Sequence, residues 1–252
     1  MVLFFLHLKL EFCQDMDKKS RLATIKRKVK KDRESQLLKV FKLMADGVEV
    51  RDPASIDIRG TLVCGQGVKL DMNIIIEGEV VLENDVSVGA NSILKSCKIG
   101  RSTAINPFSL VDNAVIGEHC FIGPYVRIRP DVSIGDNVQI GNYVEIKNAN
   151  IASKCRINHL AFVGDADLAE NVTIGAGTIT CNHDGVGVNR TTIEEGAYVG
   201  SGCNLVAPLK VNANATIASG STITDEVPGD TLTIARSLQV TVKNWKGPKS
   251  RK

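Results

Sequence analysis

Aliphatic residues recur at every sixth position along much of this chain. The longest runs are Ile116, Ile122, Ile128, Ile134, Ile140 and Ile146, followed later by Ile193, Val199, Leu205, Val211, Ile217 and Ile223. A period of six matches neither the helical repeat of about 3.6 residues nor the simple alternation of a half-buried strand. Self-similarity at a fixed period is typical of repeat architectures. The spacing therefore predicts a solenoid built from hexapeptides.

The repeat indicates how each hexapeptide contributes to the fold. Each would supply one short parallel strand and one corner, and three would make a coil of about 18 residues. The ladder aliphatic points inward, and a small or β-branched residue two positions earlier fills the corner, as at Cys120, Val126 and Val144. Glycine and asparagine suit the corners because they tolerate positive φ. The predicted fold class is all-β, a parallel β-helix of about nine to ten coils, and a β-sandwich with chance spacing is the less favoured alternative.

The ends of the chain depart from the repeat. Residues 17–47 carry an approximate helical stripe and many basic residues, and predict a basic linker helix. We expect an irregular extension over 1–16, the β-helix over 48–228 and a basic tail over 229–252. The basic ends could bind nucleic acid or a membrane surface, but a solvated helix face is the favoured interpretation. No nucleic-acid partner is therefore expected.

Cysteine usage and hydropathy bound the location. The seven cysteines are scattered, without CxxC pairs, which indicates a reducing compartment and a cytoplasmic protein. The apolar opening over residues 2–10 is far too short to span a bilayer, so no membrane span is expected. The four histidines provide no obvious zinc-binding set, and no metal site is predicted.

Two cations are brought into register by the repeat. Arg129 and Lys147 are eighteen residues apart, so one full coil would stack one on the other. Arginine suits bidentate phosphate binding, and lysine binds phosphate as a point charge. The spacing leaves a phosphate site and ordinary exposed surface charge as about equally good interpretations.

A histidine and an interruption are the other candidate features. His159 follows Lys147 by twelve residues, two-thirds of a coil, and is predicted to lie on a different face. Its imidazole could accept a proton as a general base, although a lone histidine is more often structural. The ladder breaks after Ile174, where thirteen residues from Thr180 to Ile193 replace the expected six. The excess must project outward as a loop, where sites tend to be built.

Several motifs together resemble one family. They include Arg127-Ile128-Arg129-Pro130, Gly141 to Lys147, Gly164-Asp165-Ala166, Ile174 to Asn182 and Leu205-Val206-Ala207-Pro208. From about residue 17 onward the chain resembles the acetyltransferase half of the bacterial bifunctional enzyme that makes UDP-N-acetylglucosamine. The resemblance implies a left-handed β-helix and a homotrimer with active sites between chains. It implies acetyl transfer from acetyl-CoA, as co-substrate, to the amine of glucosamine-1-phosphate, in the synthesis of cell-wall precursors. The uridylyltransferase half, with its Mg²⁺ site, is expected to be missing.

The resemblance also implies roles for individual residues. His159 would be the catalytic base, Arg129 and Lys147 would hold the sugar phosphate, and Asn182 would orient the amine. The implied substrate-binding residues are Arg129, Lys147, Phe162, Thr173 and Asn182. The implied acetyl-CoA-binding residues are Ala176, Asn182, His183, Ser201, Ser219 and Arg236.

Four positions depart from the family pattern. Phe162 and His183 each stand where the family has tyrosine, Thr173 replaces asparagine, and Ser219 replaces alanine. Losing one hydrogen bond to a charged phosphate would cost about 1.5–3 kcal/mol, so a weakened or re-tuned enzyme is expected. Two alternatives stay open, namely an acyltransferase with another amino-sugar acceptor and a non-catalytic trimeric scaffold that partners a separate uridylyltransferase.

Overall fold

The computed structural model describes the backbone of residues 2–245 and the side chains of residues 18–245. The chain forms two compact units, Met1–Tyr125 and Val126–Lys252. Each unit is a stack of parallel β coils, and together they contain about ten turns after one N-terminal helix. The predicted parallel β-helix of hexapeptide repeats is confirmed.

The first unit contains one long helix, a short 3₁₀ turn and eleven short strands. The elements are α1 Val2–Ala45, β1 Glu49–Val50, the 3₁₀ turn Pro53–Ser55, β2 Asp57–Cys64, β3 Lys69–Leu70, β4 Ile75–Leu82, β5 Ser87–Val88, β6 Ile93–Lys95, β7 Lys98–Ile99, β8 Ala104–Ile105, β9 Leu110–Asp112, β10 Ala114–Ile116 and β11 Phe121–Ile122. Its strands stack in parallel as β1–β3–β5–β8–β11, β2–β4–β6–β9 and β4–β7–β10.

The described residues of the second unit, 126–245, form fifteen strands. They are β12 Arg127–Ile128, β13 Val132–Ile134, β14 Gln139–Ile140, β15 Glu145–Ile151, β16 Arg156–Ile157, β17 Phe162–Leu168, β18 Thr173–Ile174, β19 Ile179–Cys181, β20 Thr191–Ile193, β21 Tyr198–Val199, β22 Asn204–Val206, β23 Leu209–Val211, β24 Thr216–Ile217, β25 Thr222–Ile223 and β26 Leu232–Thr233. They stack in parallel as β14–β16–β18–β21–β24–β26, β12–β15–β17–β19–β22–β25 and β13–β15–β17–β20–β23.

The six-residue ladder forms the core. The six isoleucines from Ile116 to Ile146 and the six aliphatics from Ile193 to Ile223 are all at most 3 % exposed. Cys97, Cys120, Cys155 and Cys203 are buried free thiols, as their positions in the repeat predict. Because stacked aliphatics exclude water along the axis, the hydrophobic effect fixes the register of successive coils.

The helix differs from its predicted bounds at one end. It begins at Val2, so the expected irregular extension over 1–16 is wrong for residues 2–16. These residues include neither glycine nor proline, and extending a helix that has already nucleated costs little free energy. The end at Ala45, followed by Gly47 at φ +100°, agrees with the predicted boundary.

The helix packs on the first coils near its C-terminal end. Val40 is fully buried, Lys39 Nζ donates to the carbonyl of Ile58 at 2.9 Å, and Gln36 Oε1 accepts from the Ile58 amide at 3.2 Å. Leu22 and Ile25, also in the predicted stripe, are more than half exposed. Pairing of β24 with β26 extends the repeat to Thr233, so the predicted boundary at 228 falls too early. Of the predicted tail, residues 246–252 lie outside the described part of the chain.

Candidate active site

Arg129 and Lys147 lie side by side on adjacent coils of the second unit. The register pairs Ile128 with Ile146, and the Arg129 amide donates to the carbonyl of Ile146 at 2.8 Å. The predicted stacking one coil apart is therefore confirmed. The next coil is seventeen residues on and pairs Lys147 with Gly164. Gly164 itself is buried.

Each of these cations has a carboxylate partner. Arg129 Nη1 lies 3.1 Å from Glu145 Oε1, and Lys147 Nζ lies 3.7 Å from Asp165 Oδ2. The two cationic side chains are 37 % and 35 % exposed, so both remain accessible to an anionic ligand. The pairs hold two positive heads at a solvent-facing surface, an arrangement suited to a phosphate group.

Asp165 connects Lys147 with the beginning of the projecting loop. Its carboxylate accepts hydrogen bonds from the side-chain amides of Asn148 and Asn182. Burial favours the neutral acid, but these hydrogen bonds and the charges of Lys147 and Arg190 outweigh it, so the pKa of Asp165 is lowered. The carboxylate is therefore ionised at neutral pH.

Phe162 covers the space beside Gly164. A Cβ built on Gly164 would lie 2.5 Å from Phe162 Cζ and 3.1 Å from Asn182 Nδ2. The ring and the amide thus converge on one glycine, and any larger residue would displace them. The structure brings Phe162, Asn182 and Lys147 together around Gly164, whereas the sequence placed them together only through the family resemblance.

A second group of the implied site residues shares one corner of the coils. The ladder residues Ile140, Ile157, Ile174, Val199 and Ile217 are in register. Two positions after them come Asn142, His159, Ala176, Ser201 and Ser219, which we call the His159 column. The column as a whole is absent from the sequence predictions, although counting two residues beyond each ladder position identifies it.

Hydrogen bonds link successive coils at the His159 column. The His159 carbonyl accepts from Gly177 at 3.2 Å, and the Ala176 carbonyl accepts from Gly202 at 2.7 Å. Ser219 Oγ accepts from the Ser201 amide at 3.1 Å. Arg236 Nη1 donates to the Ser219 carbonyl at 2.6 Å, which attaches the residues after β26 to the column. The implied base and four implied acetyl-CoA residues therefore form one continuous edge of a single chain.

His159 is held in a defined orientation. It is exposed, has a left-handed φ of +68°, and its Nδ1 is in hydrogen-bond contact with Asn142 Oδ1. With Asn142 Oδ1 as the acceptor, Nδ1 carries the proton, and Nε2 of the neutral ring is free to accept one. This is the tautomer that a general base requires.

Arg129, Lys147, Phe162 and Asn182 form a group that we call the Lys147 surface. The His159 column and the Lys147 surface occupy different faces. His159 follows β16, which pairs with β14 and β18, whereas Lys147 lies on β15, which pairs with β12, β13 and β17. The predicted separation is thus confirmed. Thr173 is half-buried on β18 between Arg156 and Tyr198, apart from the Lys147 surface.

The loop after β19 projects as an ordered hairpin. His183 and Val188 form an antiparallel bridge, and Val186 at the tip is 96 % exposed. Asp184 Oδ1 accepts hydrogen bonds from the amides of Gly187 and Val186, which lower the pKa of Asp184 to about 2. The predicted projection is confirmed, and His183 is exposed at the hairpin, where its Nδ1 accepts from Gly185.

Arg190 fastens the far end of this hairpin. Its guanidinium binds the carboxylate of Asp167 and donates to the carbonyls of Asn148 and Ala166 at 3.3 and 3.2 Å. Neither Arg190 nor Asp167 is among the site residues predicted from the sequence. The ladder count gives no signal for them, because their contact crosses the inserted segment.

Two searches of the described residues gave negative results. No cluster of three or more His, Cys, Asp or Glu side chains within them could hold a metal ion. Over the same part of the chain, no helix is long and apolar enough to cross a bilayer.

Known proteins resemble this chain in sequence. Residues 113–148 match the family model "Bacterial transferase hexapeptide (six repeats)". The bifunctional protein GlmU of Nitrosospira multiformis is 48 % identical over 213 residues, and that of Aromatoleum aromaticum is 43 % identical over 211. Each alignment covers 84 % of this chain and 46 % of the relative, so the chain spans about half the length of the curated relatives it matches.

A solved UDP-N-acetylglucosamine acyltransferase is a more distant neighbour. It is 20 % identical with a TM-score of 0.42, and the match covers 68 % of this chain and 66 % of that one. The curated relatives are much closer in sequence, and the matched region is their C-terminal half. The chain is therefore a hexapeptide-repeat protein, similar in sequence to the C-terminal half of the bifunctional protein GlmU.

Proposed function

We propose that this chain transfers the acetyl group of acetyl-CoA to the amine of glucosamine-1-phosphate. The observation that carries the proposal is the His159 column. In it, an oriented, exposed histidine lies on one continuous edge with Ala176, Ser201 and Ser219. A long thioester substrate could lie along such an edge. The identity of 43–49 % with GlmU proteins supports the same reaction class.

The Lys147 surface would bind the acceptor. Arg129 and Lys147 supply two cations on adjacent coils for the sugar phosphate, and Asn182 supplies an amide beside them. Charge-assisted hydrogen bonds to phosphate are stronger than neutral ones, so these contacts would dominate acceptor affinity. The amine would then approach the thioester from a fixed position.

His159 would act as the general base. Its Nε2 takes a proton from the acceptor nitrogen as that nitrogen forms a bond to the thioester carbonyl carbon. Collapse of the tetrahedral intermediate breaks the carbon–sulfur bond, releases CoA thiolate and leaves the acetamide on the sugar. Backbone N–H groups beside the carbonyl would stabilise its transient negative charge.

The assembly proposed for this reaction is a homotrimer. Within one chain the His159 column and the Lys147 surface lie on different faces. Packing of neighbouring chains would bring the column of one copy opposite the phosphate surface of another. Every active site would then require residues from more than one chain.

A CoA-release assay tests the function. Purified protein, acetyl-CoA and glucosamine-1-phosphate should yield free CoA thiol, and His159→Ala should reduce the rate at least 100-fold, as expected for loss of a general base. His119→Ala is the matched control, because His119 is another corner histidine with left-handed φ and lies in the first unit. Absence of CoA release at saturating substrates would refute the proposal.

The same assay examines a second acceptor class. Phe162 places a ring rather than a hydroxyl beside Gly164 and Asn182, which favours an acceptor with a less polar group at that position. A panel of amino sugars with and without the phosphate would distinguish glucosamine-1-phosphate from a less polar acceptor. Faster turnover of another amino sugar would replace glucosamine-1-phosphate as the acceptor.

A further inference from the structure

Asp165 occupies an unusual position for a carboxylate. Among the residues whose side chains the structure describes, it is the one charged residue that is buried, with 4 % of its surface exposed. It follows directly after Gly164 and has a left-handed φ of +51°. Burying a charge is costly unless it is paired and hydrogen-bonded, so its partners indicate what the position is for.

The partners come from the two coils that flank Asp165. Oδ1 accepts from Asn148 Nδ2 at 2.5 Å, on the coil before Asp165. Oδ2 accepts from Asn182 Nδ2 on the coil after it and lies 3.7 Å from Lys147 Nζ. One carboxylate therefore touches both the amide beside the acceptor site and the ammonium of the proposed phosphate site.

We propose that Asp165 is a positioning residue that sets Asn182 and Lys147 relative to each other. The inference rests on the proposed function and deepens it, because it makes the orientation of the amine depend on the same group that holds the phosphate cation. Since both oxygens are already engaged and the residue is buried, Asp165 is not a proton carrier. It acts through its two neighbours.

Asp167 provides a matched comparison on the same strand. It accepts from Asn150 and pairs with Arg190, and its side chain is 38 % exposed. It therefore fastens the far end of the hairpin without touching Lys147 or Asn182. Asp167→Asn removes an equal charge from β17 and should leave the acceptor site unchanged.

The single variant Asp165→Asn separates positioning from folding. Its amide can accept from one asparagine but presents an NH₂ group to the other donor or to Lys147. We expect kcat to fall at least tenfold and KM for glucosamine-1-phosphate to rise at least threefold, with KM for acetyl-CoA within twofold. Asp167→Asn should change none of the three constants by more than twofold.

A double variant tests rescue. In Asn148→Asp with Asp165→Asn, the new amide can donate to the carboxylate at 148 and accept from Asn182, and the pair keeps one negative charge. We expect at least half of the lost kcat to return. Asp165→Asn kinetics within twofold of the unmodified protein, or equal losses in Asp167→Asn, would overturn the proposal.

An activity-independent readout separates this inference from the proposed function. The side-chain amide protons of Asn182 should exchange with solvent at least tenfold faster in Asp165→Asn than in Asp167→Asn, measured by NMR with an assigned Asn182 signal. Absence of CoA release by the unmodified protein would refute the proposed function alone. Unchanged Asn182 exchange in Asp165→Asn would refute the positioning role whether or not the protein is active.

Discussion

Asn142 and His159 occupy the same corner of successive coils, and Asn142 Oδ1 is in contact with His159 Nδ1. With Asn142 Oδ1 as the acceptor, Nδ1 carries the proton and Nε2 is the ring nitrogen left to accept one. A hydrogen bond from the far side of the ring commonly sets the tautomer of a functional histidine. The solenoid supplies this partner simply by repeating a corner seventeen residues earlier.

Replacing Asn142 should therefore weaken catalysis without removing the base. Asn142→Ala is expected to lower kcat about tenfold, because one orienting hydrogen bond is worth about 1 kcal/mol or somewhat more. Steady-state CoA release measures the effect. Asn150→Ala, which removes an amide from the Asp167 network instead, should leave kcat within twofold, and an equal loss in both variants would contradict an orienting role.

A hydroxyl added to the ring of Phe162 should strengthen binding of the proposed acceptor. We expect Phe162→Tyr to lower KM for glucosamine-1-phosphate by about tenfold or more, because a hydrogen bond to a charged group contributes about 1.5–3 kcal/mol. Phe121→Tyr introduces the same hydroxyl on an exposed strand position of the first unit and should leave KM unchanged. A rise in KM for Phe162→Tyr would favour a less polar acceptor.

Gly175 should not tolerate a side chain. A Cβ there would lie 2.5 Å from the Ser201 amide nitrogen and 2.6 Å from the Gly200 carbonyl carbon, both backbone atoms of the next coil. Gly175→Ala is expected to lower the free energy of unfolding by about 1–3 kcal/mol through overpacking. Gly187→Ala is the control, since a Cβ at Gly187 meets nothing within 4 Å. Equal urea midpoints for the two variants would contradict this prediction.

The hairpin after β19 should open in acid. The Gly187 and Val186 amides lower the pKa of Asp184 from 3.8 to about 2. A carboxylate whose pKa is lowered by folding stabilises the fold fully at pH values above its pKa in the unfolded chain. This stabilisation is lost as the carboxylate becomes protonated. Local stability should therefore decline as the pH falls from about 4 towards 2. The decline would be seen as a lower protection factor against amide exchange at Gly187. In Asp184→Asn that exchange should be fast already at neutral pH and show no such acid transition.

The architecture follows from local pattern. Each ladder aliphatic must be buried, and a step of six places successive aliphatics on one inward line, so Ile128, Ile146 and their counterparts determine the coil and its register without long-range information. The stacking of Arg129 on Lys147 follows from the same count. The helix start escaped prediction because residues 2–16 show no capping signal, and the end at Thr233 depends on pairing with β24.

The remaining site geometry depends on contacts that no period encodes. Step counting places His159 and Lys147 on different faces, but only the folded backbone shows His159 with left-handed φ against Asn142. The burial of Asp165 between two asparagines, and the grip of Arg190 on Asp167 across the inserted hairpin, are likewise tertiary. Sequence spacing determines where each backbone segment lies in a solenoid, because burial of the ladder is local and repetitive. Side-chain direction and charge pairing between coils depend on three-dimensional neighbours, and these only the tertiary structure decided.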